Sequence, residues 1–168
     1  LVELIGLSGY NDALVAGGKY PIAPLRQSTI GGVHDHISGI FLLTHEVRWF
    51  TNEEALYLPE AAEVEHLPEP GKVENGVAYW SNKQVFSAIL PPGINMIFKA
   101  SSCKHCDTCK KELCDQDTYV KMRDGELITG TIDKKAIGAF DGEIVNRIIR
   151  QYSQKRAAQF INDVTRLS

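Results

Sequence analysis

Four cysteines, Cys103, Cys106, Cys109 and Cys114, fall within twelve residues in the spacing C-x2-C-x2-C-x4-C, and the chain has no other. Deprotonated and turned inward, thiolates bind zinc tetrahedrally at about 2.3 Å, and cysteines two residues apart chelate because the turn between them aims both sulfurs at one point. Closing so short a loop costs little chain entropy. Three states are open to it: structural zinc on four thiolates, an iron–sulfur cluster, or a metal-free loop, reduced or disulfide-bonded. The cluster option is weakened because bacterial-type ferredoxins use C-x2-C-x2-C-x3-C-P, whereas here the last gap is four residues and Asp115 stands in place of the proline. Disulfides are disfavoured in a reducing compartment. His105, between two cysteines, reads as solvent-facing rather than as a fifth candidate ligand. Four protein ligands leave no open coordination position, so a metal here would be structural.

Two further groups could do chemistry. His34-Asp35-His36 resembles a ligand or acid–base set, but neighbours on a helix point about 100° apart and cannot converge on one atom. Asp35 there complements the helix dipole, and the histidines read as capping or partner-contact residues. Lys134-Lys135 could meet phosphate, although a lysine pair by itself is ordinary solvated surface. No P-loop, G-x-S-x-G elbow or H-E-x-x-H is present, so the common catalytic signatures are missing.

The elements that must hold these groups are read from turn and cap chemistry. Gly and Pro punctuate residues 1–30, which suggests loops with one short helix. Val33, Ile37, Ile40 and Phe41 recur at helical spacing and predict a helix near 33–43. Thr51 with Glu54, and Ser81 with Gln84, are capping-box pairs. They predict a helix ending near Pro59 and another halted at Pro91-Pro92. The acidic, Pro- and Gly-bearing stretch 59–76 reads as an exposed connector. Tyr119–Arg123 and Glu126–Thr129 flank Asp124-Gly125, the signature of a tight β-hairpin near 117–132. Asp141 can cap a helix striped by Ile144, Val145 and Ile148, and a second helix carries Ala157, Phe160, Val164 and Leu167. The expected fold is α+β: mixed helices, a small antiparallel sheet, a cysteine-rich loop and two C-terminal helices. Its expected parts are an N-terminal segment 1–58, the connector 59–76, an α+β region 77–140 and C-terminal helices 141–168.

At 168 residues, with 43% hydrophobic and 23% charged side chains, the chain has an ordinary globular composition. A net charge of -3 argues against nucleic-acid binding through a globally basic surface. No apolar run reaches the roughly 20 residues of a membrane span, and no secretion signal opens the chain, so the expected location is the cytoplasm, with no membrane partner. The start at Leu1 rather than Met fits an excised fragment or a trimmed and renumbered chain.

The segments IGGVHDHISG (Ile30 to Gly39), LLT (Leu42 to Thr44), WSNKQVFSAILP (Trp80 to Pro91), DGELITGTIDKKAIGA (Asp124 to Ala139) and FINDVTRL (Phe160 to Leu167) stand in this order. The ordered set resembles the largest subunit of DNA-directed RNA polymerases, most of all the archaeal A′ type, over about residues 30–168. In that family the segment before the hairpin can also carry cysteines. The resemblance implies a stretch just downstream of the catalytic motif NADFDGD, forming the pore that leads into the funnel. That motif is absent here, so no catalytic residue is carried over, and the Mg²⁺ of the complete polymerase would not be bound by this chain. The implied role is in DNA-templated transcription by a nucleotidyltransferase, with Lys134 and Lys135 as candidate pore-facing cations. The implied partners are the other polymerase subunits, template DNA, RNA, nucleoside triphosphates and transcript cleavage factors. The alternative is a freestanding zinc-binding interaction module built on the cysteine loop.

Overall fold

The computed structural model describes residues 31–61, 67–103, 109–139 and 141–168. In chain order these form α1 (His34–Thr44), β1 (Trp49–Thr51), α2 (Asn52–Ala61), β2 (Lys72–Glu74), β3 (Val77–Ser81), α3 (Asn82–Ser87), β4 (Met96–Lys99), a 3₁₀ turn (Lys111–Leu113), β5 (Tyr119–Arg123), β6 (Glu126–Thr129), α4 (Lys134–Ile137), α5 (Glu143–Gln151) and α6 (Gln154–Leu167). The class is α+β, as the sequence predicts.

Two dipeptides organise the sheets. Asn75-Gly76 and Asp124-Gly125 both take positive φ, 52° and 80° in the first and 51° and 86° in the second. Such a pair of left-handed residues makes the two-residue turn whose twist matches that of paired strands. Asp124-Gly125 closes the expected β5–β6 hairpin, with β4 added on the other side of β5. Asn75-Gly76 closes a second, unexpected hairpin, β2–β3, which β1 completes with Phe50 opposite Trp80. Among the described residues there are thus two three-stranded antiparallel sheets rather than one, and Lys72–Glu74, inside the stretch read as a connector, is a paired strand.

The caps behave largely as their chemistry dictates. Ser81 and Gln84 form the full reciprocal box at the start of α3. At α2 the Glu54 carboxylate accepts both the backbone N–H and the hydroxyl of Thr51, each at 3.0 Å. These bonds hold the Glu54 pKa below the usual carboxylate range, the backbone bond contributing most. Helix α2 runs to Ala61, two residues beyond Pro59. Asp141 does not cap α5; the cap position is Gly142, with no side-chain bond. Glycine suits that cap position, since a Cβ there would come 2.5 Å from the Gly138 carbonyl oxygen. At α1 the cap position is Val33, also without a side-chain bond, so the nearby histidines do not cap the helix.

One apolar cluster joins all of this, running from Ile40 and Ala55 through Val85, Phe86, Val120 and Ile132 to Phe160 and Leu167. Phe86 and Phe160 meet edge to face, with centroids 6.5 Å apart at 84°, a geometry that adds to their area burial. Buried polar residues stitch the cluster. Asn82, fully buried, donates from Nδ2 to the Leu43 and Glu46 carbonyls and accepts the Arg48 N–H at Oδ1. Thr44 Oγ1 donates to Ile40 O and accepts the N–H of Ile132. Ser87 Oγ accepts the N–H of Leu127. The C-terminal helices clamp the turn after α3: Tyr152 donates to Pro92 O, and Arg156 Nη2 donates to Ile89 O at 2.9 Å.

Candidate metal-binding loop and basic cleft

The cysteine loop hangs between β4 and β5. Ala100 N–H to Thr118 O extends that strand pairing by one bond, and Cys103 N–H to Ala100 O then turns the chain outward. On the return, Cys114 N–H bonds Lys111 O and Asp117 N–H bonds Cys114 O. Cys103, Cys109 and Cys114 line one cleft of about 140 Å³, floored by Thr118 and Tyr119 and flanked by Lys99 and Lys110. The sequence proximity of these three is therefore converted into a shared cavity. Cys106 and His105 lie outside the described residues.

The hydrogen-bond partners of the Cys114 thiol favour its ionised form. Its sulfur lies 3.3 Å from Thr118 Oγ1. Its pKa is drawn down first by that hydroxyl and then by the backbone N–H groups of Thr118 and Gln116, against slight opposition from burial and from the Asp115 charge. A lowered thiol pKa suits a metal ligand, because the bound form is the thiolate. Among the described residues, however, no three His, Cys, Asp or Glu side chains are gathered closely enough to hold a metal ion. Three thiols share the cleft, and a finished coordination site is not formed by the described residues.

Two aspartates hold the loop's ends in place, and neither is signalled by a motif. Asp133, buried, accepts Ser101 Oγ–H at 2.6 Å and Ser102 N–H at 3.2 Å through Oδ2. Through Oδ1 it accepts Lys135 N–H at 3.0 Å, which makes it the N-cap of α4. One carboxylate thus ties the entry of the cysteine loop to the helix that carries the two lysines. Asp117 does the same at the exit, accepting Gly130 N–H and pairing with Lys83 of α3. The only sequence-level sign of Asp133 is that an aspartate precedes a short helical run.

Lys134 is exposed, and Lys135 is half-buried. Lys135 lies on a polar cleft of about 420 Å³ that Asp141, Glu143, Asn146, Arg147 and Arg150 also line. Glu143, Asn146, Arg147 and Arg150 are on one face of α5, as three- and four-residue spacing requires. His34 and Asp35 are exposed, while His36 Nδ1 lies 3.0 Å from Ser168 Oγ. The triplet does not converge, as helical geometry predicts. No described helix is long and apolar enough to cross a membrane.

Comparison with known proteins places this arrangement. Residues 26–168 match the family model for RNA polymerase Rpb1, domain 3. The chain is 42% identical over 159 residues to the DNA-directed RNA polymerase subunit Rpo1N of Methanocaldococcus jannaschii, covering 94% of this chain and 12% of that protein. It is 41% identical over 140 residues to the Rpo1N subunit of Thermoplasma acidophilum (83% and 16%). The match to that of Methanococcus vannielii is 40% over 159 residues (94% and 18%). The chain therefore spans less than a fifth of the length of these relatives. They carry the stretch inside much longer polymerase subunits, which gives no support to a freestanding zinc module. The segments that carry the resemblance are also those that meet in the core: Thr44 bonds Ile132, Ser87 bonds Leu127, and Phe86 packs on Phe160. By the extent of these matches, the chain belongs to the RNA polymerase Rpb1, domain 3 family, as a stretch of an archaeal-type largest subunit.

Proposed function

We propose that this chain works as part of the largest subunit of a DNA-directed RNA polymerase, in the cytoplasm, as wall of the pore and funnel through which nucleotides reach the active centre. The observation that carries it is the family match over residues 26–168. In this reading the other polymerase subunits hold the domain, and DNA, RNA, nucleoside triphosphates and cleavage factors are partners of the complete nucleotidyltransferase. The chain contains no NADFDGD motif, so its own residues hold no catalytic Mg²⁺, and the purified 168-residue chain should give no template-dependent nucleotide incorporation. Lys134 and Lys135 are the pore-facing candidates, Lys135 on a cleft where it, Arg147 and Arg150 outnumber Asp141 and Glu143, because clustered cations meet phosphate. A photo-crosslinker at Lys135 in the assembled polymerase should capture the RNA 3′ end in a backtracked complex or a triphosphate analogue. Crosslinks confined to protein would remove the pore assignment while leaving family membership intact.

A structural zinc is the proposed occupant of the cysteine loop. Its support is the shared cleft of Cys103, Cys109 and Cys114 together with the position of Cys106 in the same C-x2-C-x2-C-x4-C run. Elemental analysis of protein prepared under reduction should find one zinc per chain and no visible absorbance. Visible absorbance with iron would replace zinc by an iron–sulfur cluster, and no metal at all would leave a reduced loop.

A further inference from the structure

The β4–β5–β6 sheet has one face in the core, where Met96, Val120, Met122 and Leu127 are buried. Side chains alternate along a strand, so Ile97, Lys99, Lys121, Arg123 and Ile128 lie on the other face. The solvated face of an antiparallel sheet is ordinarily polar. This one sets two isoleucines among its charges, Ile97 59% and Ile128 45% exposed. The Lys121–Glu112 pair, at 2.6 Å, ties the 3₁₀ turn to the same face and sets Leu113, 80% exposed, beside it. Of the three cations, only Lys121 has a carboxylate among the described ion pairs. Glu126, at the hairpin end, is the one acidic residue of the strands on this side.

We propose that this face docks a protein segment that presents carboxylates interleaved with aliphatic or aromatic side chains. The cations select the sign of the partner, and the isoleucines select its apolar component. A nucleic acid fits worse. Phosphates would leave Ile97, Ile128 and Leu113 uncovered, and a single half-buried aromatic, Tyr119, makes a poor stacking platform, which takes successive exposed rings. Apolar and charged groups together on one rigid sheet also match the usual build of an interface, in which a buried apolar centre is ringed by polar contacts. This surface is distinct from the Lys135 cleft and does not depend on the pore assignment.

The test uses the full-length subunit in the assembled polymerase, with p-benzoylphenylalanine replacing Ile97 or Ile128 and crosslinked peptides identified by mass spectrometry. Both positions should crosslink to one protein segment in which Asp or Glu alternates with apolar residues. Lys99→Glu with Arg123→Glu should lower the yield about tenfold, as two attractive contacts become repulsive. Glu126→Gln, which removes the one acid that the strands place on this face, should hold or raise it, separating charge recognition from misfolding. Capture of nucleic acid alone, capture of a segment without carboxylates, no protein crosslink, or a yield that ignores the double reversal or falls with Glu126→Gln would each overturn the proposal.

Discussion

Replacing Asp133 by alanine removes the single carboxylate that joins the cysteine loop to α4. Three bonds go with it: the N-cap bond to Lys135 N–H and the two from Ser101 Oγ–H and Ser102 N–H. Losing an aspartate cap costs about 1 kcal/mol, and each bond to a charged acceptor about 1.5 kcal/mol or more, discounted here because Ser101 and Ser102 can rehydrate at the surface. The expected loss is about 3 kcal/mol, a large share of the roughly 5–15 kcal/mol that holds a domain folded. At this chain length it corresponds to a fall in Tm of about 6–12 °C. Urea unfolding followed by fluorescence of Trp49 and Trp80 measures it directly. Ser101→Ala should cost about 1 kcal/mol in the parent chain and close to nothing beside Asp133→Ala, because the partner is already gone. A loss for Asp133→Ala below about 0.5 kcal/mol, within the range of an ordinary surface substitution, or equal costs for Ser101→Ala in both backgrounds, would refute the tether.

Phe160→Ala empties a fully buried site against Phe86 and should destabilise by about 3–5 kcal/mol in the same unfolding assay. Gly130 sits at φ +99°, where a Cβ would come within 2.4 Å of Val120 Cα; Gly130→Ala should therefore cost more than about 1 kcal/mol and loosen amide protection in β5 and β6. Glu54 has a lowered pKa in the folded chain, so its contribution is present above the unfolded glutamate pKa and fades as pH falls through the lower folded value. The stability advantage of the parent over Glu54→Ala should accordingly be full at neutral pH and shrink on acidification below the usual carboxylate range. An advantage that is constant with pH would show that the Thr51 bonds do not favour the charged form.

Features built from near neighbours are legible in the residues themselves. Ser81 and Gln84 announce a capping box, Asp124-Gly125 announces a hairpin, and the stripes from Ile144 and Ala157 announce the last two helices; each depends on torsions and spacings within a few residues. Asn75-Gly76 carries the same turn chemistry as Asp124-Gly125. Its strands escape a reading by pattern because β2 is only three residues long and sits in an acidic, proline-bearing stretch, where alternation has no room to show. For the candidate site, the sequence supplies the four thiols and the two lysines by type and spacing, along with the family to which their surroundings belong.

What spacing cannot express is which distant groups satisfy one another. Thr44 meets Ile132 across 88 positions, Asn82 meets Glu46 across 36, and Asp133 meets Ser101 across 32. These partners are chosen by burial: a polar atom withdrawn from water must be bonded wherever the packed chain brings a partner. By itself the sequence determined the Asp124-Gly125 turn, the Ser81–Gln84 and Thr51–Glu54 caps, the cysteine spacing and the family. Only the tertiary structure decided that three thiols share a cleft, that Asp133 couples it to the lysine helix, and that Ile97 and Ile128 face outward among cations. Strand pairing and side-chain burial are collective outcomes of the whole core, and no short window contains them.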